Sequence, residues 1–199
     1  MPSRKALHLR RRLYRLGRVR AGRRRVVYGA AMDGRQHLSH IAVFRKEDLW
    51  RLRGSKYVQS DLGDTFREIR EALKIRPVLF TGTPCQVDGL YRFLGQRPEN
   101  LLTCDLVCHG VPSPGVWEDM IHSIESRKGK GVQAVRFRNK VTGWKDGHFT
   151  TVYDDGSVDT APPVPHRIWP GLWAGAVSAS QLPPLLLHLH DPPGRFHIG

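Results

Sequence analysis

The sequence predicts an α/β domain with a mostly parallel sheet, flanking helices and a following β-hairpin, between two irregular ends. Three observations predict it. Between residues 26 and 160, short apolar runs alternate with amphipathic stretches, as sheet strands joined by helical crossovers do. The runs Pro77–Thr81 (PVLFT) and Leu101–Val107 (LLTCDLV) are apolar and short, like strands buried on both faces. Each passes at once into a segment containing glycine and proline.

The elements follow in order. Val26–Ala30 and His40–Phe44 are short apolar strands, and Lys46–Arg53 is a short helix. Residues 53–60 (RGSKYVQS) form a polar loop or edge strand. Thr65 and Glu68 have the spacing of a capping box, and Phe66, Ile69 and Leu73 continue as one apolar helix face, ending before Pro77. After strand 77–81, Gly82–Cys85 is a tight turn, and Val87, Leu90, Phe93 and Leu94 mark a second helix. After strand 101–107 come a loop over 108–114 and a third helix through Trp117, Met120, Ile121 and Ile124. Val132–Arg138 is a third strand after a helix. Thr150–Val158, with Asp155-Gly156 at its turn, is a hairpin.

Composition narrows the function classes. The chain has 199 residues, enough to bury a real core, with 40% hydrophobic and 25% charged residues. No apolar run approaches the roughly 18 residues of a membrane-spanning helix. Three cysteines, Cys85, Cys104 and Cys108, are too few and odd in number for a secreted disulfide scaffold. The Arg-rich start has no apolar signal segment, so a reducing cytoplasmic location is expected. The net charge of +14 suggests nucleic acid, but eleven Lys or Arg and no acid fall within residues 1–25. The other 174 residues hold 21 basic and 18 acidic side chains. A basic arm of this kind, with Leu13, Tyr14 and Leu16 interleaved, can bind phosphate backbones without sequence preference. The preferred reading is a disordered or non-native leader, with no specific nucleic-acid partner. Residues 161–199 hold eight of the fourteen prolines and four of the ten histidines, with no helix or strand period. His188 and His190 have metal-ligand chemistry, but no carboxylate or cysteine accompanies them.

Sites in open α/β sheets gather beyond the carboxyl ends of the strands. Cys85 and Cys108 each follow such a strand end, so neighbouring strands would put both thiols on one rim. Gly82 and Gly110 there allow a ligand close to the backbone. Cys104 lies within its strand and reads as a small core residue. Three roles stay open for the rim cysteines: metal or iron–sulfur ligation, nucleophilic catalysis with His109 in a hydrolase or transferase, or simple packing. There is no C-x-x-C, no G-x-G-x-x-G and no phosphate-binding G-x-x-x-x-G-K-[ST].

Four ordered motifs are more specific. RGSKYVQSDLGDTFREIREAL (53–73), PVLFTGTPCQVDGL (77–90), LLTCDLVCHGVPSP (101–114) and FRNKVTGWK (137–145) resemble the beta-subunit family of coenzyme F420 hydrogenase and dehydrogenase. The resemblance implies an electron-transferring oxidoreductase subunit with FAD and a 4Fe-4S cluster. It would exchange electrons with coenzyme F420 or another acceptor, alongside other redox subunits or a ferredoxin-like carrier. It implies that Cys85 and Cys108 ligate the cluster. Thr81, Gly82, Thr83, Gln86 and His109 would lie beside flavin and cluster, and Ser55, Lys56 and Tyr57 would line the flavin pocket. Lys56 would supply positive charge to the reduced flavin. The family pattern continues into a further C-x-x-C pair, whereas no cysteine follows Cys108 here, so the ligand set is incomplete. Both ends differ in composition from residues 26–160, and the expectation is that they are read out of frame. A one-base correction near each junction would then restore a Gly/Ala-rich helix and a C-x-x-C.

Overall fold

A computed structural model describes residues 25–108, 110–140, 147–163 and 195–198. The arm through residue 24, His109, residues 141–146 (which include the end of the fourth motif), and the segment carrying His188 and His190 lie outside the described residues.

Strands β1 (Val26–Met32) and β2 (Leu38–Val43) form an antiparallel hairpin, with Val27 opposite Val43. A 3-10 helix (Lys46–Leu52), a loop and helix α1 (Thr65–Leu73) lead to β3 (Val78–Gly82), which runs parallel to β1. Helix α2 (Pro84–Leu94) then crosses to β4 (Leu101–Leu106), parallel to β3. The sheet order is β2-β1-β3-β4-β8, where β8 (Arg195–Ile198) pairs parallel to β4. Helix α3 (Pro114–Lys128) joins this sheet to a second, antiparallel sheet of β5 (Val132–Asn139), β6 (His148–Tyr153) and β7 (Val158–Pro163).

Alternation along the central strands builds the core. Val26, Tyr28, Val78 and Phe80 face one side, where Ile69 of α1 and Val87 and Leu90 of α2 cover them. Val27, Leu79 and Leu102 face the other side, against Leu49 and Leu52 of the 3-10 helix. Side chains at i and i+2 share a strand face, so one run of apolar residues feeds both layers. A third cluster joins Leu38 and Val58 to Trp117 and Ile121 of α3 and to Phe137, Phe149 and Tyr153 of the second sheet. Trp117 anchors this junction: its Nε1–H donates to the Gln36 carbonyl at 2.7 Å, and its ring lies 5.0 Å from that of Phe137.

Four local expectations are corrected. Thr65 and Glu68 form no capping box: Asp64 precedes the helix, Thr65 is its first residue, and Thr65 is buried. The box forms instead at Thr83 and Gln86, so Gly82–Cys85 is a strand end running into a helix start. Residues 132–139 do not join the parallel sheet but pair antiparallel with β6, which pairs antiparallel with β7. The tail, expected to hold no strand, contributes β8, because β4 presents an edge to pair with.

Candidate functional site

The site is built from the ends of β3 and β4. Thr83 is extended (φ −76°, ψ 160°) and stops β3 while starting α2. Its hydroxyl accepts from the Gln86 backbone, and the Gln86 Oε1 accepts from the Thr83 N–H at 3.0 Å. Pro84 takes the first helical position, where its missing N–H costs nothing. Cys85 follows, exposed, with its Sγ 3.1 Å from Thr83 Oγ1. The parallel register sets Gly82 opposite Asp105, so Cys85 and Cys108 each stand three residues beyond one registered pair. Cys108 is also exposed and accepts a 3.4 Å hydrogen bond from the Gly110 N–H. Gly110 adopts φ 102°, a conformation that favours glycine. Glycine at 82 leaves room for this chain's own Gln86 and Phe80, since a Cβ there would stand 2.9 Å from Gln86 Oε1.

Beneath the turn runs a chain of hydrogen bonds. The His40 Nε2 lies 3.0 Å from the Thr81 carbonyl, and its Nδ1 lies 3.0 Å from Ser60 Oγ. A carbonyl only accepts, so Nε2 carries the proton and Nδ1 accepts from the Ser60 hydroxyl. The Ser60 oxygen accepts from Gln86 Nε2 at 2.9 Å, and Gln86 Oε1 closes the path on the Thr83 N–H. His40 is buried and stacks on Phe80, with centroids 5.3 Å apart. Burial pushes its pKa below 6.5, the bond to Thr81 opposes this, and the charge of Lys56 lowers it further. The Thr81 hydroxyl donates to the Tyr28 carbonyl at 3.1 Å and so ties β3 to β1.

The 53–60 loop supplies the remaining groups. Lys56 is half-buried, and burial pushes its pKa down to about 8. Its ammonium donates to the carbonyls of Arg53 at 3.1 Å and Gly54 at 3.4 Å. Tyr57 is 38% exposed and meets Phe137 edge-on at 5.6 Å. Ser55 is half-buried.

The structure thus joins Thr81, Thr83 and Gln86 in one network and connects it to the 53–60 loop through Ser60. It sets Cys85 and Cys108 on the turns of adjacent parallel strands. His109, on which a thiol–imidazole enzyme would depend, lies outside the described residues. His40 and Ser60 were not singled out from the sequence. The available signal was a histidine at an alternating, inward position of a largely apolar strand.

Residues 75–167 match the family model for the coenzyme F420 hydrogenase/dehydrogenase beta subunit, C terminus. Over these residues the chain is similar to that family. The matched segment runs from just before β3 through β7, so it includes both cysteine turns, while His40 and residues 55–60 precede it. No curated protein matches the chain. Its fold is similar to a chain in a solved structure of the F420-reducing NiFe hydrogenase complex from Methanosarcina barkeri, at 20% identity and a TM-score of 0.49. That likeness covers 79% of this chain and 52% of the other, so this chain spans about half its length.

A four-iron cluster takes four thiolate ligands. The described residues do not fit it: only Cys85 and Cys108 reach the rim. Cys104 is 1% exposed and packs against Leu102 and Leu79, and burial pushes its thiol up to about 12. Among the described residues, no group of three or more His, Cys, Asp or Glu could hold a metal ion. A half-buried ammonium, the hydroxyl of Ser55 and an exposed aromatic ring lie together on the 53–60 loop. Among the described residues, no helix is long and apolar enough to cross a membrane.

Proposed function

We propose that this domain is the flavin-binding part of an oxidoreductase subunit, which exchanges electrons between FAD and coenzyme F420 or another acceptor. It works with other redox subunits or a ferredoxin-like carrier, in a reducing cytoplasm that suits exposed thiols. The observation that carries this reading is the family match, which includes both cysteine turns at the carboxyl ends of two adjacent parallel strands.

FAD, when bound, supplies the electron-carrying chemistry. Ser55, Lys56 and Tyr57 would hold it, with the Thr81–Gln86 turn beside it. Lys56 is chiefly protonated at pH 7, so its ammonium would set a positive charge beside bound FAD and favour its reduction. Two of its three N–H groups hold the loop carbonyls of Arg53 and Gly54, which fixes the charge in place. Partial burial strengthens that charge's action on a ligand relative to open water.

The test is an anaerobic titration of the full-length chain with FAD, read by quenching of flavin fluorescence. Saturable binding is expected. Lys56→Met should make the bound flavin harder to reduce, seen as a lower midpoint potential than wild type. A folded wild-type chain that never saturates, or an unchanged potential in Lys56→Met, overturns the reading.

A further inference from the structure

We infer that His40 is a positioning residue for the Cys85 thiol, acting through Ser60 and Gln86. The inference rests on the proposed function only in taking Cys85 as a functional group.

The path is continuous. His40 hangs from β2 and is held at one nitrogen by the Thr81 carbonyl and on its face by Phe80. Its other nitrogen fixes the direction of the Ser60 hydroxyl proton, leaving the Ser60 oxygen to accept from Gln86. Gln86 has its amide nitrogen spent on Ser60 and its amide oxygen on Thr83, so it cannot flip without breaking both bonds. Thr83 in turn contacts the Cys85 sulfur at 3.1 Å. Four chain segments are thereby locked to one orientation: β2, the 53–60 loop, β3 and the start of α2.

From the Thr81 carbonyl to the Thr83 N–H each bond has one allowed polarity, while between Thr83 Oγ1 and the Cys85 sulfur either atom can donate. Such a chain specifies geometry, because reversing one member leaves two donors or two acceptors facing each other. Gln86 also stands over Gly82, where no side chain competes for its place. Among the described residues, the Cys108 sulfur accepts instead from the nearby Gly110 N–H. The two rim thiols are therefore held by different means, and His40 governs one of them.

The three cysteines make the test internal. The full-length chain is alkylated with iodoacetamide under native conditions, and adducts at each cysteine are followed by mass spectrometry. Ser60→Ala cuts the path at its middle, and His40→Phe removes both ring nitrogens while keeping an aromatic ring on Phe80. Each should raise the Cys85 rate relative to Cys108 by about threefold or more, as expected for loss of one or two hydrogen bonds. Ser60→Thr, which keeps the hydroxyl, should restore the wild-type ratio. Cys104 reports opening of the core and should stay unreactive. An unchanged Cys85-to-Cys108 ratio in both variants overturns the inference. So does a Cys85 rate that rises only in step with Cys104, which would make the path a prop for overall stability. Alkylation needs no flavin, so this result stands apart from the FAD titration.

Discussion

Replacing Gly82 by alanine should destabilise the domain, although glycine-to-alanine changes in strands usually reduce the entropy lost on folding. The added Cβ would stand 2.9 Å from Gln86 Oε1 and 3.1 and 3.2 Å from two atoms of the Phe80 ring. Neither neighbour yields cheaply. Phe80 is fully buried between Phe66 and His40. Gln86 is fastened at both ends of its amide. Overpacking of this kind costs about 1–3 kcal/mol. A value near 2 kcal/mol lowers Tm by roughly 4–8 °C in a domain of this size. Two other glycines serve as controls. Gly115 lies in α3 with nothing within 4 Å of a new Cβ, so alanine there should stabilise by about 0.5–1 kcal/mol. Gly95 also has open space but sits at φ 68°, so alanine there should cost about 1 kcal/mol from backbone strain alone. Urea unfolding of the three variants, followed by circular dichroism, gives the order directly. A Gly82→Ala variant as stable as Gly115→Ala would refute the account of Gln86 wedged over the strand end.

Three further outcomes are expected. Trp117→Phe should lose about 1–3 kcal/mol in urea unfolding, because it leaves the Gln36 carbonyl without its 2.7 Å donor in a buried junction. His40 is held neutral by burial, so its folded pKa lies below the unfolded value of 6.5. The unfolded state then binds the proton more readily, and this stability, complete above pH 6.5, falls away as pH drops through the folded pKa. Unfolding midpoints at pH 7.5 and 5.5 should therefore differ less in His40→Phe than in wild type. Thr83→Ala should cost about 1 kcal/mol by removing a formed capping box, while Glu68→Ala should be nearly neutral, since its box never forms. Thermal unfolding of the pair separates the two helix starts, and equal losses would contradict the assignment.

Period and punctuation made much of the fold legible before any coordinates. The strands of Val78–Gly82 and Leu101–Leu106, the helix through Val87 and Leu90, and the hairpin turning at Asp155-Gly156 all follow from local pattern. The motif GTPCQ marked the end of β3, but it reads locally as a tight turn, and only the structure makes Thr83 and Gln86 a helix start. Pairing was not legible in the same way. Residues 132–139 have strand character in either sheet, and only the meander with β6 and β7 settles their direction. The same limit explains Thr65 and Thr83. Both have a Glu or Gln three residues on, and burial of the first against the core left only the second free to cap.

What the sequence determined alone was which segments extend, which coil, and that two cysteines follow two buried strands. Those properties depend on each residue and its near neighbours along the chain. Only the tertiary structure decided that His40, Ser60, Thr81 and Gln86 share one path of hydrogen bonds, and that residues 132–139 pair in a second, antiparallel sheet. Hydrogen-bond partners separated by 20 to 41 residues meet only when strands register and loops close over them, and no local preference encodes that meeting.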